Sequence, residues 1–180
     1  MTTLTGTWLT LDDGRPAVRL TRTYPRPVER VWRYVSDPAE LRHWFPSPFR
    51  ADELEPGATV FFSDAPDAAE QGATGTVLTA DPPRGLAYTW GGDELRFALE
   101  PLGDGGTRLT LTNVLETATG AARNAAGWEL CLTALDAADS GRAPDGPHTG
   151  ASGPWKELYD AYIAAGFPSG APVPGLDDLT

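Results

Sequence analysis

The side chains that most often carry acid–base or nucleophilic chemistry are scarce in this chain of 180 residues. It contains two histidines, one cysteine and one lysine: His43, His148, Cys131 and Lys156. A single lysine restricts Schiff-base chemistry to one position, and a single cysteine forms neither an intramolecular disulfide nor a Cys-rich zinc site. We therefore assign no catalytic residue and expect neither a metal nor a cofactor.

The neighbours of His43 and Cys131 favour structural roles. His43 lies beside Trp44 in a short predicted helix, and a general base needs a tuned pKa and a partner within reach. Because His43 and His148 are far apart, they make no metal site by spacing. Cys131 has no positively charged neighbour to activate its thiol, so we interpret it as a small buried apolar residue.

Two polar side chains share the parity of apolar residues in predicted strands. Asn113 alternates in step with Leu109 and Leu111, which places its amide on the inward face. It is either an anchor for a ligand or an amide whose hydrogen bonds are satisfied near the end of the sheet. Arg22 shares the parity of Val18 and is a second candidate for a pocket.

Aromatic side chains are the candidates for a cavity wall, with core packing as the alternative for each. The candidates are Trp44, Phe45, Phe61, Trp90, Phe97 and Trp128. Phe61 is adjacent to Phe62, and only one of two neighbours on a strand faces inward. The pattern leaves open which one does, and Phe61 is the one we include.

These residues need elements to position them. Alternation predicts a first strand over residues 17–24. A helix over 28–35 and a short helix from Pro38, capped by Asp37, follow it. A 3.6-residue period between 117 and 140 then predicts a helix of about 20 residues, roughly 30 Å long, with Trp128, Cys131, Leu132 and Leu135 on one face.

Short strands with turn residues between them fill the middle of the chain and indicate an antiparallel meander. They are predicted at 58–62, 74–80, 86–90, 95–100 and 107–115, with a further strand around 49–54. The hairpin through Gly91-Gly92 has the clearest local pattern. The fold class is α+β, because the long helix is the only element able to cover the buried face of such a sheet.

Several motifs occur in the order seen in a known family. They are YPRPVERVW at 24–32, Asp37-Pro38, Leu41-x-x-Trp44-Phe45, GTV at 75–77, YTW at 88–90, GTRLTLT at 106–112 and Gly127-Trp128. Over residues 15–140 the chain thus resembles the SRPBCC/START-like superfamily, and within it the branch of activator of Hsp90 ATPase homologue 1-like proteins. The resemblance implies a helix-grip fold with a ligand cavity between sheet and helix. The branch often has a histidine where this chain has Asn113.

The predicted organisation is one domain with short flanking segments. We assign 1–14 to an N-terminal extension, 15–141 to the domain, 142–153 to a Gly/Pro-rich linker and 154–180 to a C-terminal helix and tail. The C-terminal helix has one apolar-aromatic face. Both docking on its own domain and formation of a homodimer would cover that face. The tail from Phe167 is rich in Pro and Gly, so we expect it to be frayed.

The charge excludes two classes of partner. With 14 basic and 25 acidic residues the net charge is −11, which disfavours nucleic acid and anionic membranes. The N-terminus has no signal-peptide pattern and no apolar run is long enough to span a membrane. We therefore expect a cytoplasmic protein.

Three functions agree with these observations. The first is binding of a small apolar or amphipathic molecule between the sheet and the long helix. The second is an enzyme of the polyketide cyclase/dehydratase type, and the third is a co-chaperone-like interaction module. We rank ligand binding first, because the sequence shows no acid–base pair.

Overall fold

Seven antiparallel strands form one sheet in the computed structural model, which describes residues 3–142 and 153–173. The strands are β1 Thr7–Thr10, β2 Pro16–Tyr24, β3 Thr59–Phe61, β4 Thr74–Asp81, β5 Gly85–Trp90, β6 Asp93–Pro101 and β7 Thr107–Val114. Their order across the sheet is β1-β2-β7-β6-β5-β4-β3. The helices are α1 Val28–Ser36, α2 Pro38–Leu41, α3 Ala121–Asp139 and α4 Gly153–Ala164. The curved sheet and the long helix α3 confirm the predicted helix-grip fold.

The local signals of the sequence set most element boundaries. Asp37 ends α1 and caps α2, since its side chain accepts a hydrogen bond from the Ala39 backbone N–H at 2.9 Å. The predicted hairpin is confirmed, because Trp90 pairs with Asp93 across Gly91-Gly92. Gly91 has a φ of 61°, a left-handed conformation that glycine adopts without steric cost.

Helix α3 is buried on two sides. Trp128, Cys131 and Leu132 belong to the central core, as the 3.6-residue period predicts. On its other side α4 packs against α3 and buries Trp155, Leu158 and Tyr162. The aromatic face of the C-terminal helix is thus covered by its own chain.

Three sequence-based predictions differ from the structure. The segment 1–14, assigned to an extension, contains the edge strand β1, which pairs with β2. The expected strand at 49–54 is wrong, since only Arg50 makes an isolated bridge, to Phe61. The described part of the tail, to Val173, is packed rather than frayed, because Pro168 accepts a hydrogen bond from the Ala122 N–H at 3.0 Å. That bond satisfies a free donor in the first turn of α3.

The predicted linker at 142–153 lies outside the described residues except for its two end positions. Within the described residues, no helix combines the length and apolar character needed to span a membrane.

One buried carboxylate joins four segments of the chain. The Glu129 carboxylate of α3 forms a salt bridge with the Arg22 guanidinium of β2 at 2.7 Å. It accepts a hydrogen bond from the Tyr162 hydroxyl of α4. It also accepts hydrogen bonds from the backbone and side chain of Thr5. Burial acts to raise the pKa of the Glu129 carboxyl, but the hydrogen bonds that it accepts outweigh burial and hold its pKa below the ordinary value.

A second set of contacts joins the C-terminal half of α3 to β2 and α1. Asp136 accepts hydrogen bonds from the Tyr24 hydroxyl at 2.9 Å and from Arg22 at 3.1 Å. Asp139 accepts one from the Tyr34 hydroxyl at 2.6 Å. Acidic side chains along one edge of α3 thus fix this half of the helix against the sheet.

Replacing Glu129 by Gln should lower the free energy of unfolding by about 3 kcal/mol at pH 7. The Arg22 side chain is only 13% exposed, and its positive charge would remain buried after losing its nearest carboxylate. The folded-state pKa of Glu129 lies below the unfolded one, so its contribution is present above the ordinary pKa of 4.5 and is lost as the pH falls through the folded value. Urea unfolding should therefore show that the difference in the free energy of unfolding between wild type and variant becomes smaller as the pH is lowered from 5 to 3.

The matched control is Glu100→Gln, which removes a carboxylate from an exposed ion pair with Arg108. It should cost less than about 1 kcal/mol. Equal losses in the two variants, or a loss that does not depend on pH, would contradict this role for Glu129.

Candidate functional site

A cavity of about 430 Å³ lies between the N-terminal half of α3 and the β5–β6 hairpin. Its lining residues are Pro46, Trp90, Gly91, Gly92, Asp93, Glu116, Arg123, Asn124, Gly127, Trp128 and Cys131. The hairpin supplies one wall, α3 supplies the opposite wall, and Glu116 comes from the segment that follows β7. The site therefore lies where the helix and the end of the sheet diverge.

Two indole rings form the aromatic side of the cavity. The centroids of Trp90 and Trp128 are 5.4 Å apart, with their planes inclined by 56°. Phe45 packs against both, at centroid distances of 5.7 Å and 5.8 Å. Such a wall offers flat apolar surface to an aromatic or aliphatic ligand.

Asn113 lies behind this wall and is completely buried. Its side-chain oxygen accepts hydrogen bonds from the Trp128 indole N–H at 3.0 Å and from the Asn124 amide at 2.8 Å. Its side-chain nitrogen donates to Asp93 at 3.0 Å and to the Val114 carbonyl at 3.3 Å. Both donors and both lone pairs are thus in use, so Asn113 positions the residues that line the cavity.

Asp93 extends this network into the hairpin. Its carboxylate accepts hydrogen bonds from the side chains of Asn113 and Asn124, and from the Glu116 backbone N–H at 2.9 Å. Helix α3, strand β7 and the hairpin are therefore joined through a single side chain.

Arg123 provides the positive charge of the lining. Its Nε donates to the Asn124 side-chain oxygen at 2.9 Å, and its Nη1 donates to the Pro172 carbonyl at 2.8 Å. Seven of the other arginines form salt bridges with carboxylates. Arg123 forms none with any described residue, so its charge is available to an anionic group in the cavity.

Cys131 and Glu116 complete the lining at different depths. Burial raises the pKa of the Cys131 thiol to about 12, so the thiol is neutral at physiological pH. Glu116 is exposed at the rim, and its carboxylate lies against Gly92, where a Cβ would collide with it. Glycine at position 92 thus allows this close approach.

Four of the eight predicted site residues lie at the cavity or directly behind it. Trp90 and Trp128 line it, and Phe45 and Asn113 support them. Trp44 and Phe97 are buried in the core and contact each other edge to face at 6.2 Å.

Phe61 and Arg22 lie elsewhere, each for a physical reason. The Arg50 guanidinium stacks on Phe61 at 4.0 Å, while Phe62 turns inward to Tyr88 and Trp90. Arg22 faces inward as its parity predicts, but it is engaged by acidic side chains of α3. His43 is half-buried and does not line the cavity.

Sequence reasoning missed four polar residues of the site, one of which is Glu116 at the rim. The local sequence predicts that Asp93 is an ordinary turn residue. Its role depends on a hydrogen bond from Asn124 of α3 that no local pattern predicts. Asn124 precedes Trp128 by four positions, which places both on one helix face, so this spacing was a usable signal. Arg123 follows the predicted first turn of α3 and carries no such signal.

Comparison with known families gives a match to the model described as activator of Hsp90 ATPase homolog 1-like protein, over residues 25–138. The chain belongs to this family. The match spans α1 to the end of α3 and therefore contains the whole cavity lining. No curated protein matches the chain significantly.

Solved structures of the same fold extend the comparison. CalU16 from Micromonospora echinospora has 24% identity and a TM-score of 0.68, covering 88% of this chain and 91% of that one. EF2215 from Enterococcus faecalis, described as a conserved protein of unknown function, has 21% identity and a TM-score of 0.66, with 89% of each chain covered. The protein encoded by BPP1335 from Bordetella parapertussis has 27% identity and a TM-score of 0.59, covering 82% and 83%. The likeness to these proteins is one of fold.

Replacing Asn113 by Leu should lower the free energy of unfolding by about 3 kcal/mol, because Asp93, Asn124 and the Trp128 indole would each lose a buried hydrogen-bond partner. Urea unfolding measures this loss. The control Thr110→Val, on the opposite face of β7, should stay within about 0.5 kcal/mol of wild type. A neutral Asn113→Leu variant would show that the network does not hold the site together.

Proposed function

We propose that this protein binds a small amphipathic molecule in the cavity between the β5–β6 hairpin and α3. The observation that supports it is the combination of an indole wall with a guanidinium that no described carboxylate pairs. A volume of about 430 Å³ lies within the range of small-molecule sites, roughly 300–1,000 Å³. The ligand would place its apolar body on Trp90 and Trp128 and its polar end towards Arg123.

The arrangement of the polar groups favours binding over turnover. The Asp93 carboxylate accepts hydrogen bonds from three N–H donors. The Cys131 thiol is protonated and is therefore a poor nucleophile. His43, the only histidine of the predicted domain, does not line the cavity. A cyclase-like activity would have to use Glu116, a carboxylate of the lining that is exposed at the rim, so ligand binding is the function that we propose.

Native mass spectrometry of the freshly purified protein should reveal a co-purifying small molecule. Cys131→Phe should abolish this extra mass, because the larger side chain would occupy the cavity. Cys131→Ala should retain it, since the smaller side chain leaves the cavity open. Circular dichroism checks that both variants are folded. An extra mass that Cys131→Phe leaves unchanged would contradict binding at this site, and an empty protein under all conditions would weaken the proposal.

The anionic fluorophore 1-anilinonaphthalene-8-sulfonate should bind the folded protein in the cavity, with its sulfonate near Arg123. Arg123→Gln should weaken binding about tenfold, which corresponds to about 1.4 kcal/mol. Wild-type affinity should also fall as salt is raised, and the variant should lose part of that dependence.

The control for this titration is Arg19→Gln. Arg19 is exposed on β2, outside the cavity lining, and donates a hydrogen bond to Thr112 at 3.2 Å. Fluorescence titration should give this variant the wild-type affinity. Equal effects of the two substitutions would indicate that the dye senses only the overall charge.

A further inference from the structure

The Tyr88 hydroxyl is a buried polar group without a hydrogen-bond partner in the part of the chain that the structure describes. The Tyr88 side chain is completely buried, and its hydroxyl makes no hydrogen bond to any described residue. Unpaired buried hydroxyls are uncommon in native proteins, and each needs an explanation. A phenylalanine would fill the same space without this penalty, so no contact with the described residues accounts for the hydroxyl.

Tyr88 lies one step deeper than the cavity along the same strand. Leu86, Tyr88 and Trp90 alternate along β5 and therefore point to the same face of the sheet. Trp90 lines the cavity, and two residues of a strand span about 7 Å. Gly91 and Trp90 line the cavity, and the next side chain on the same face of β5 is Tyr88.

Phe62 packs against both Trp90 of the cavity lining and the buried Tyr88. Its ring centroid is 6.3 Å from Trp90 and 5.9 Å from Tyr88. Phe62 begins a stretch of turns and bends between β3 and β4, and its ring lies over Gly75, where a Cβ would approach it to 2.9 Å. The Phe62 ring contacts Trp90 and Tyr88 through aromatic packing, so rotation of the ring would break no hydrogen bond.

We propose that Phe62 is a movable wall, and that the ligand extends past it to accept a hydrogen bond from the Tyr88 hydroxyl. This inference rests on the proposed function and narrows its ligand class. The ligand is an elongated, mainly aromatic or apolar molecule with a carbonyl or ether oxygen at its buried end. Its outer end carries the polar or anionic group that meets Arg123.

Two probes of nearly equal shape test this inference. The first is 4-acetylbiphenyl, which has a terminal carbonyl, and the second is 4-isopropylbiphenyl, which has a methyl group in its place. Tyr88→Phe should weaken binding of 4-acetylbiphenyl about five- to tenfold, the effect of one buried hydrogen bond. Affinity for 4-isopropylbiphenyl should change less than twofold. Quenching of tryptophan fluorescence measures both.

Matched variants separate the site from general effects. Tyr159→Phe, on α4, should leave both affinities unchanged. Phe62→Ala should accelerate association of both probes by opening the wall, whereas Phe61→Ala, next to it and stacked under Arg50, should not. Without a probe, Tyr88→Phe should unfold at the same temperature as wild type or higher. A lower unfolding temperature would mean that the hydroxyl has a structural partner, and would overturn the inference.

Failure of the inference and failure of the proposed function give different results. If both probes bind, Cys131→Phe blocks them and Tyr88→Phe leaves their affinity ratio unchanged, the cavity binds ligands but does not reach Tyr88. If neither probe binds, or if Cys131→Phe has no effect on them, ligand binding in the cavity and its extension to Tyr88 are both wrong.

Discussion

The position of α3 on the sheet depends on Glu129. This carboxylate is buried, and it is compatible with burial only because an arginine, a tyrosine and a threonine supply donors from three other segments. The N-terminal segment and α4, which lie outside the matched family region at 25–138, thereby become part of the same packed unit. Glu129 near the middle of α3, together with Asp136 and Asp139 in its C-terminal half, thus fixes the helix on the sheet, and the space beneath its N-terminal half depends on a separate set of contacts.

Asn113 provides that second set of contacts. Its amide joins β7 to Asp93 in the hairpin and to Trp128 in α3, so helix and sheet are held together without closing the gap between them. Asn113, for which the sequence left ligand contact open, therefore acts one layer behind the cavity. The groups that remain available to a ligand are the indole faces and Arg123. The carboxylates of α3 each meet a donor from β2, α1 or α4, so these acidic side chains contribute to the packing of the helix.

The sequence predicted the fold well and the site only in part. The alternation in β7 and the period of α3 are local patterns, and they place Asn113 and Trp128 on inward faces. Parity says which face a side chain occupies, but it does not say what lies opposite. Arg22 faces inward to a carboxylate of α3 rather than to a cavity. The hydrogen bonds of Asp93 to the side chains of Asn113 and Asn124 join residues 20 and 31 positions apart, which no local pattern predicts. The strand β1 was missed because it has only four residues, too few for a clear alternation, although it pairs with the adjacent β2. The packing of the tail was missed because its hydrogen-bond partners are far away in the chain, at the start of α3.

The most direct test is an NMR spectrum of the six tryptophan indole N–H groups, assigned by single Trp→Phe variants and recorded during titration with 1-anilinonaphthalene-8-sulfonate. Trp90 and Trp128 flank the cavity, whereas Trp8, Trp32, Trp44 and Trp155 lie outside its lining. Binding in the cavity predicts saturable shifts of the Trp90 and Trp128 signals, with the other four unchanged. Shifts confined to the other four, or spread evenly over all six, would contradict a ligand site between the hairpin and α3.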